Sequence, residues 1–219
     1  MPTTRPLPLL LLFVFATISS IVAGSPLRVS LVFDDGPVPV QTEKILALLA
    51  REHVHVNFSY IGRKVDANPE LAKHALAAGH ELNNHSYTHP HLLKLDDAGA
   101  FAEISKCTEA IRRATGHPPA WFWAPFLEMD SRVDALVRRD GLVVYPYQKF
   151  HFISTNDWDE AHTSAVAIYE SATTGIADKT VILFHEWRPE TYDQLPAILA
   201  ELRKQGCVFL TFTELQKTP

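Results

Sequence analysis

Apolar and polar positions along the chain alternate between two periods. Short runs rich in β-branched and aromatic residues occupy 28–33 (RVSLVF), 54–61, 81–83, 121–123, 142–145, 151–155, 180–184 (TVILF) and 207–212, and predict strands. Between them, leucine, isoleucine, valine and alanine recur at helical spacing over 41–52, 96–114, 130–140, 163–174 and 194–204. A further helix is expected from Asn68-Pro69, with Asn as N-cap and Pro at the first helical position, to a stop near Gly79. Alternating β and α segments without a repeat or a long linker predict a parallel sheet with crossover helices. The count suits an α/β fold of the distorted (β/α)7 barrel type, formed by a single domain over 25–219.

The first 24 residues read as an address. Arg5 supplies a positive start, Leu9 to Ala23 is a nearly unbroken apolar run, and Val22, Ala23 and Gly24 are compact. This predicts a secretory signal peptide cut after Ala23 or Gly24, and a secreted or periplasmic protein. The rival reading is an uncleaved membrane anchor, for which the run is short. No later segment reads as a stable membrane span. A net charge of -5 with no block of lysines or arginines argues against nucleic acid or an anionic membrane surface as partner. The two cysteines, Cys107 and Cys207, are expected as unpaired buried thiols, and the chain as a monomer.

Candidate chemistry gathers just after predicted strands, which in parallel β/α folds converge on one face. Asp34-Asp35-Gly36-Pro37 follows the first strand, His85 and His89 the third, Asp157 the segment from His151, and His185 the run TVILF. Two adjacent carboxylates repel, so their burial needs a compensating cation or proton, although Asp-Gly and Gly-Pro are also plain turn dipeptides. Histidines at i and i+4 share one face of a helical turn, a spacing that lets two imidazoles hold one metal ion. With one carboxylate they leave an open position of the catalytic kind, and the second carboxylate can act as base. His185 is by default a core histidine. It becomes a candidate general acid if it faces the metal, with Asp157 raising its pKa. Trp121, Trp123 and Trp158 are candidates for a sugar-binding groove or for core packing.

These residues resemble the motifs of the polysaccharide deacetylases of the NodB-homology type, carbohydrate esterase family 4. Phe33-Asp34-Asp35-Gly36-Pro37 looks like the first motif, His85-Ser86-Tyr87-Thr88-His89 the second, and Leu183-Phe184-His185 the last. The likeness runs from about Val29 to Leu215. It implies a NodB-like barrel and a hydrolase that removes N-acetyl groups from peptidoglycan, a chitin-like polymer or a biofilm polysaccharide. The implied roles are Asp34 as base, Asp35, His85 and His89 as ligands of a divalent metal (zinc, or cobalt or nickel), His185 as acid and Asp157 as its partner. Substrate contacts are expected at Trp123, Pro125, Phe126, Trp158 and Leu183, with a Phe126 backbone N–H helping to stabilise the oxyanion. The same site leaves room for an O-acetyl esterase or small-amide hydrolase, or for an inactive glycan-binding protein. One motif departs: in Trp121-Phe122-Trp123-Ala124-Pro125-Phe126, Trp123 stands where the family has an arginine beside the base. Loss of that cation is expected to raise the Asp34 pKa and loosen its position, shifting the pH optimum, the substrate or both.

Overall fold

The structure is a computed structural model describing residues 25–218. The expected leader lies outside the described residues. Eight parallel strands form one sheet: β1 (Leu27–Gly36), β2 (Asn57–Tyr60), β3 (Glu81–Asn84), β4 (Trp121–Phe122), β5 (Val143–Val144), β6 (His151–Ser154), β7 (Thr180–His185) and β8 (Cys207–Phe209). Their order is β5-β4-β3-β2-β1-β7-β6. The fold is a curled, open barrel, because β5 and β6, consecutive in sequence, form its two edges without pairing. β8 pairs with the start of β1 at Leu27–Val29, leaving the later half of β1 to β2 and β7. Helices α1 (Gln41–Glu52), α2 (Gly62–Ala67), α3 (Pro69–Ala77), α4 (Asp97–Thr115), α5 (Ser131–Arg139), α6 (Ala165–Thr173) and α7 (Pro189–Lys204) form the connections, and α8 (Phe212–Lys217) ends the chain.

Alternation along each strand sorts the side chains into two cores. Outward-facing Phe33, Phe58 and Phe184 pack against the helices, with ring centroids 5.7 Å (Phe33–Phe58) and 5.3 Å (Phe33–Phe184) apart. Val32, Trp123, Tyr145, Val181 and Leu183 fill the interior together with Phe212 and Leu215 from α8. Residues 207–212 have strand-like composition, but Thr211 and Glu214 close a capping box that starts α8 instead. α2 precedes the expected helix at Pro69, and α7 begins at Pro189, five residues early, with Pro at its first turn.

Two local departures shape the site. β1 continues to Gly36, so Asp34 and Asp35 lie within the strand and not after it. Its register to β2 shifts between Asp34 and Gly36, and Asp35 takes φ 68°. Such a bulge turns the chain by one residue. Neighbouring side chains that would point to opposite faces can then aim at the same one. The segment His85–His89 is a loop and not a helical turn, with Ser86 at φ 61° and His89 at φ 64°. The histidine pair is brought together by this loop, which the Ser86 hydroxyl braces by accepting from the His89 N–H at 3.0 Å.

Both cysteines are buried and unpaired. The native protein should resist alkylation and take up two equivalents after unfolding. An intact mass that shifts by two hydrogens on reduction would contradict the packing.

Candidate metal centre and acid–base site

Residues from five strand ends meet around a cavity of about 420 Å³, lined among others by Asp34, Asp35, His85, His89, Phe126 and His185. Asp35, His85 and His89 each direct one donor atom into a cluster whose members all lie within 4.8 Å of one another. Asp35 Oδ1 is 3.6 Å from His85 Nε2 and 3.4 Å from His89 Nε2. It is buried and finds no hydrogen-bond partner among the described residues. An orphaned carboxylate oxygen facing two imidazole nitrogens is costly unless a cation sits between them. The donors therefore fit a divalent ion of the kind that accepts two nitrogens and one oxygen.

The surroundings orient these donors. His85 Nδ1 lies 2.6 Å from the carbonyl of Trp123. A carbonyl only accepts, so Nδ1 carries the proton and Nε2 presents its lone pair inward. Trp187 Nε1 donates to Asp35 Oδ2 at 3.1 Å, leaving Oδ1 for the centre. Burial lowers the pKa of both His85 and His89, which favours the neutral form a ligand requires. Burial disfavours ionisation of Asp35, but the imidazoles of His85, His89 and His185 and the Trp187 donor outweigh it and lower its pKa. His91, a nearby alternative, is drawn away: its Nδ1 is 3.0 Å from Glu128 Oε2 and its ring stacks on Phe126 at 3.9 Å.

Asp34 lies beside this cluster, buried, with Oδ2 3.7 Å from His85 Nε2. Burial pushes its pKa up to about 8; the charge of His185 opposes the rise, that of Asp35 adds to it, and the Trp123 indole N–H opposes it. Trp123 corrects an expectation from the sequence. Its Nε1 donates to Asp34 Oδ2 at 2.7 Å, so the carboxylate is held by a neutral donor and not left loose. Trp123 is itself fixed among Tyr145, Tyr147, Phe152 and Phe212. It is 1% exposed and, like buried Pro125, does not line the cavity, so neither is placed to touch a ligand directly. Trp121 points elsewhere, donating to Thr213.

Across the cavity, His185 Nδ1 is 2.7 Å from Asp157 Oδ1, and the His185 backbone N–H donates to Asp157 Oδ2 at 2.8 Å. Burial lowers the His185 pKa, but the hydrogen bond and charge of Asp157, with the charges of Asp34 and Asp35, raise it overall. Phe126, Trp158 and Leu183 line the cavity together with Ala124, Leu127 and Ser154. Phe126 and Trp158 are 50% and 57% exposed apolar rings. Sequence reading missed Trp187 on Asp35 and Thr191, whose hydroxyl donates to Asp157 Oδ2 at 2.6 Å. Trp187 had a signal, an aromatic residue two positions past His185; Thr191, in the first turn of α7, had none.

The chain is similar to known proteins in sequence and in fold. The chain is 30% identical over 188 residues, 86% of its length, to the peptidoglycan-N-acetylglucosamine deacetylase PgdA of Listeria monocytogenes, and spans 38% of that longer relative. It is 32% identical over 162 residues to a chitooligosaccharide deacetylase of a Bradyrhizobium species, covering 74% of this chain and 71% of that one. A family 4 carbohydrate esterase from Streptomyces lividans, solved with acetate, superposes with a TM-score of 0.77 at 30% identity, over 85% of this chain and 93% of that one. The profile of the polysaccharide deacetylase family matches residues 23–145, over half of the sequence, and the chain belongs to that family.

Proposed function

We propose that this protein hydrolyses acetamide groups on an N-acetylated glycan of the cell wall or extracellular matrix, using a divalent metal, zinc first, held by Asp35, His85 and His89. The observation that carries the reading is the bulge in β1, which brings two consecutive carboxylates to one cavity with two neutral imidazoles. A cation at that point supplies Lewis acidity, polarising an acyl oxygen and making water a stronger nucleophile. Asp34 Oδ2 is committed to Trp123, while Oδ1 is buried and without a partner among the described residues; Oδ1 is the atom to take a proton from water. His185 has Nδ1 committed to Asp157, so Nε2 delivers a proton to the departing amine, which leaves poorly as an anion. The faces of Phe126 and Trp158 suit a sugar ring, and Leu127 and Leu183 provide an apolar wall for the acetyl methyl. A wall or matrix glycan lies beyond the cytoplasmic membrane, in keeping with the apolar leader of the sequence. The relatives named above are described as acting on peptidoglycan and on chitooligosaccharides, which supports this substrate class.

Acetate release from N-acetylglucosamine oligomers tests the reading. Turnover should vanish with a chelator, return with zinc, and fall by roughly 10²–10⁴-fold in Asp34→Asn. Release from acetylated xylan alone would move the assignment to an ester, and glycan binding without turnover under any metal would reduce the protein to a binding module.

The pH profile follows from the two ionisations. Activity needs Asp34 ionised and His185 protonated, so kcat/KM should rise through the pKa of the first and fall through that of the second. A bound cation draws the Asp34 pKa down from its metal-free value of about 8. Trp123→Phe removes a donor that stabilises the carboxylate, so the acid limb should move to higher pH. Asp157→Asn removes the charge that favours imidazolium, so the alkaline limb should move to lower pH. Limbs that stay in place in both variants would remove these residues from the acid–base roles.

A further inference from the structure

One buried carboxylate beside the site takes no part in the chemistry above. Glu186 follows His185 and is 0% exposed. Its backbone N–H donates to the Asp34 carbonyl at 2.9 Å, continuing the β1–β7 ladder. Oε1 accepts from the Thr42 hydroxyl in α1 and from the Val38 N–H at 3.4 Å. Oε2 lies against Gly36, where a Cβ would overlap it and would approach Tyr60 Cε1 to 2.6 Å. Only glycine therefore fits directly after the two aspartates. Lys64 Nζ grips the same turn from α2, donating to the Asp35 carbonyl at 2.5 Å.

The segment held in this way is strained. Asp35 has φ 68°, and Val40 has φ 68° and ψ -47°, an unfavourable conformation for a β-branched residue. Val40 is the centre of a three-residue turn closed by the Gln41 N–H on the Pro39 carbonyl at 2.8 Å. Such conformations persist only where their surroundings over-determine them. Glu186 supplies part of that restraint: its contacts to Val38 and Thr42 flank the strained turn, and its contact to Gly36 fixes the end of β1. A buried carboxylate is an expensive way to fill space that an apolar side chain could occupy. Its bonds here run to the chain that carries Asp34 and Asp35.

We propose that Glu186 is a positioning residue, which with Thr42 and Lys64 fixes the backbone of Asp34–Gly36 so that the Asp35 carboxylate meets His85 and His89 in the geometry a divalent cation needs. The inference rests on the metal assignment made under the proposed function. Outer partners of metal ligands typically contribute roughly 10–100-fold in affinity. Titration of the metal-free full-length protein with zinc in a calorimeter tests this, with near-ultraviolet circular dichroism confirming that each variant is folded. Glu186→Ala should weaken zinc binding by roughly 10–100-fold. Glu186→Gln accepts the same hydrogen bonds and fills the same space, so it should bind close to wild type. Thr42→Val, a smaller change that carries the test if Glu186→Ala does not fold, should weaken binding in the same direction. Folded Glu186→Ala or Thr42→Val with wild-type affinity overturns the inference alone, as does a glutamine variant no better than alanine. A wild-type protein that takes up no zinc overturns the functional reading and this inference with it.

Discussion

Two consecutive carboxylates held out of water at the end of a strand are the constraint around which this protein is organised. In a regular strand Asp34 and Asp35 would face opposite sides of the sheet, one toward the interior and one toward the helices. The bulge puts both beside the same cavity, at the expense of a positive φ at Asp35. Their mutual repulsion then has to be answered locally. Trp123 donates to Asp34, Trp187 to Asp35, and the imidazoles of His85, His89 and His185 surround the pair. One oxygen of each carboxylate is fixed by an indole N–H, and the other has no hydrogen-bond partner among the described residues. The arrangement gives two identical side chains different ionisation. Asp34, deeper and near fewer imidazoles, has a raised pKa, whereas that of Asp35 is lowered.

Trp123 shows how the interior core and the site are coupled. Its ring belongs to an aromatic cluster that also holds Tyr145 and Phe212, the latter delivered by the last helix. Its N–H orients Asp34 and its carbonyl fixes the tautomer of His85. A neutral donor on a rigid ring thus takes the place of the arginine usual in the family. The Asp34 carboxylate is still held, and the electrostatic help a cation would give is absent. An arginine at this position would have to bury its charge in an aromatic box, which explains why the surrounding residues match an indole instead.

Much of the site was legible before any coordinates. Asp34, Asp35, His85, His89, His185 and Asp157 stand just at or after apolar runs, and parallel β/α topology sends such positions to one face. The means of assembly was not legible. A spacing of four residues suggested a helical turn for His85 and His89, yet the pair is carried by a loop whose two positive φ angles have no counterpart in hydrophobic periodicity. The motif position of Trp123 and Pro125 suggests substrate contact, but both are buried, and the Trp123 indole, just past β4, packs into the interior cluster. Thr191 and Glu186 were invisible as site residues, because their partners lie 34 and 144 residues away in sequence.

The sequence by itself determined the alternation of strands and helices, the family motifs and the identities of the groups able to bind a metal and move protons. These are local properties, set by periodicity, turn chemistry and side-chain type. Tertiary structure alone decided which face each group points to, which oxygen or nitrogen is left free, and which ionisable groups are shifted. Those depend on burial and on partners supplied by distant strands, and a single shifted residue in β1 reverses the direction of a side chain while leaving the hydrophobic pattern unchanged.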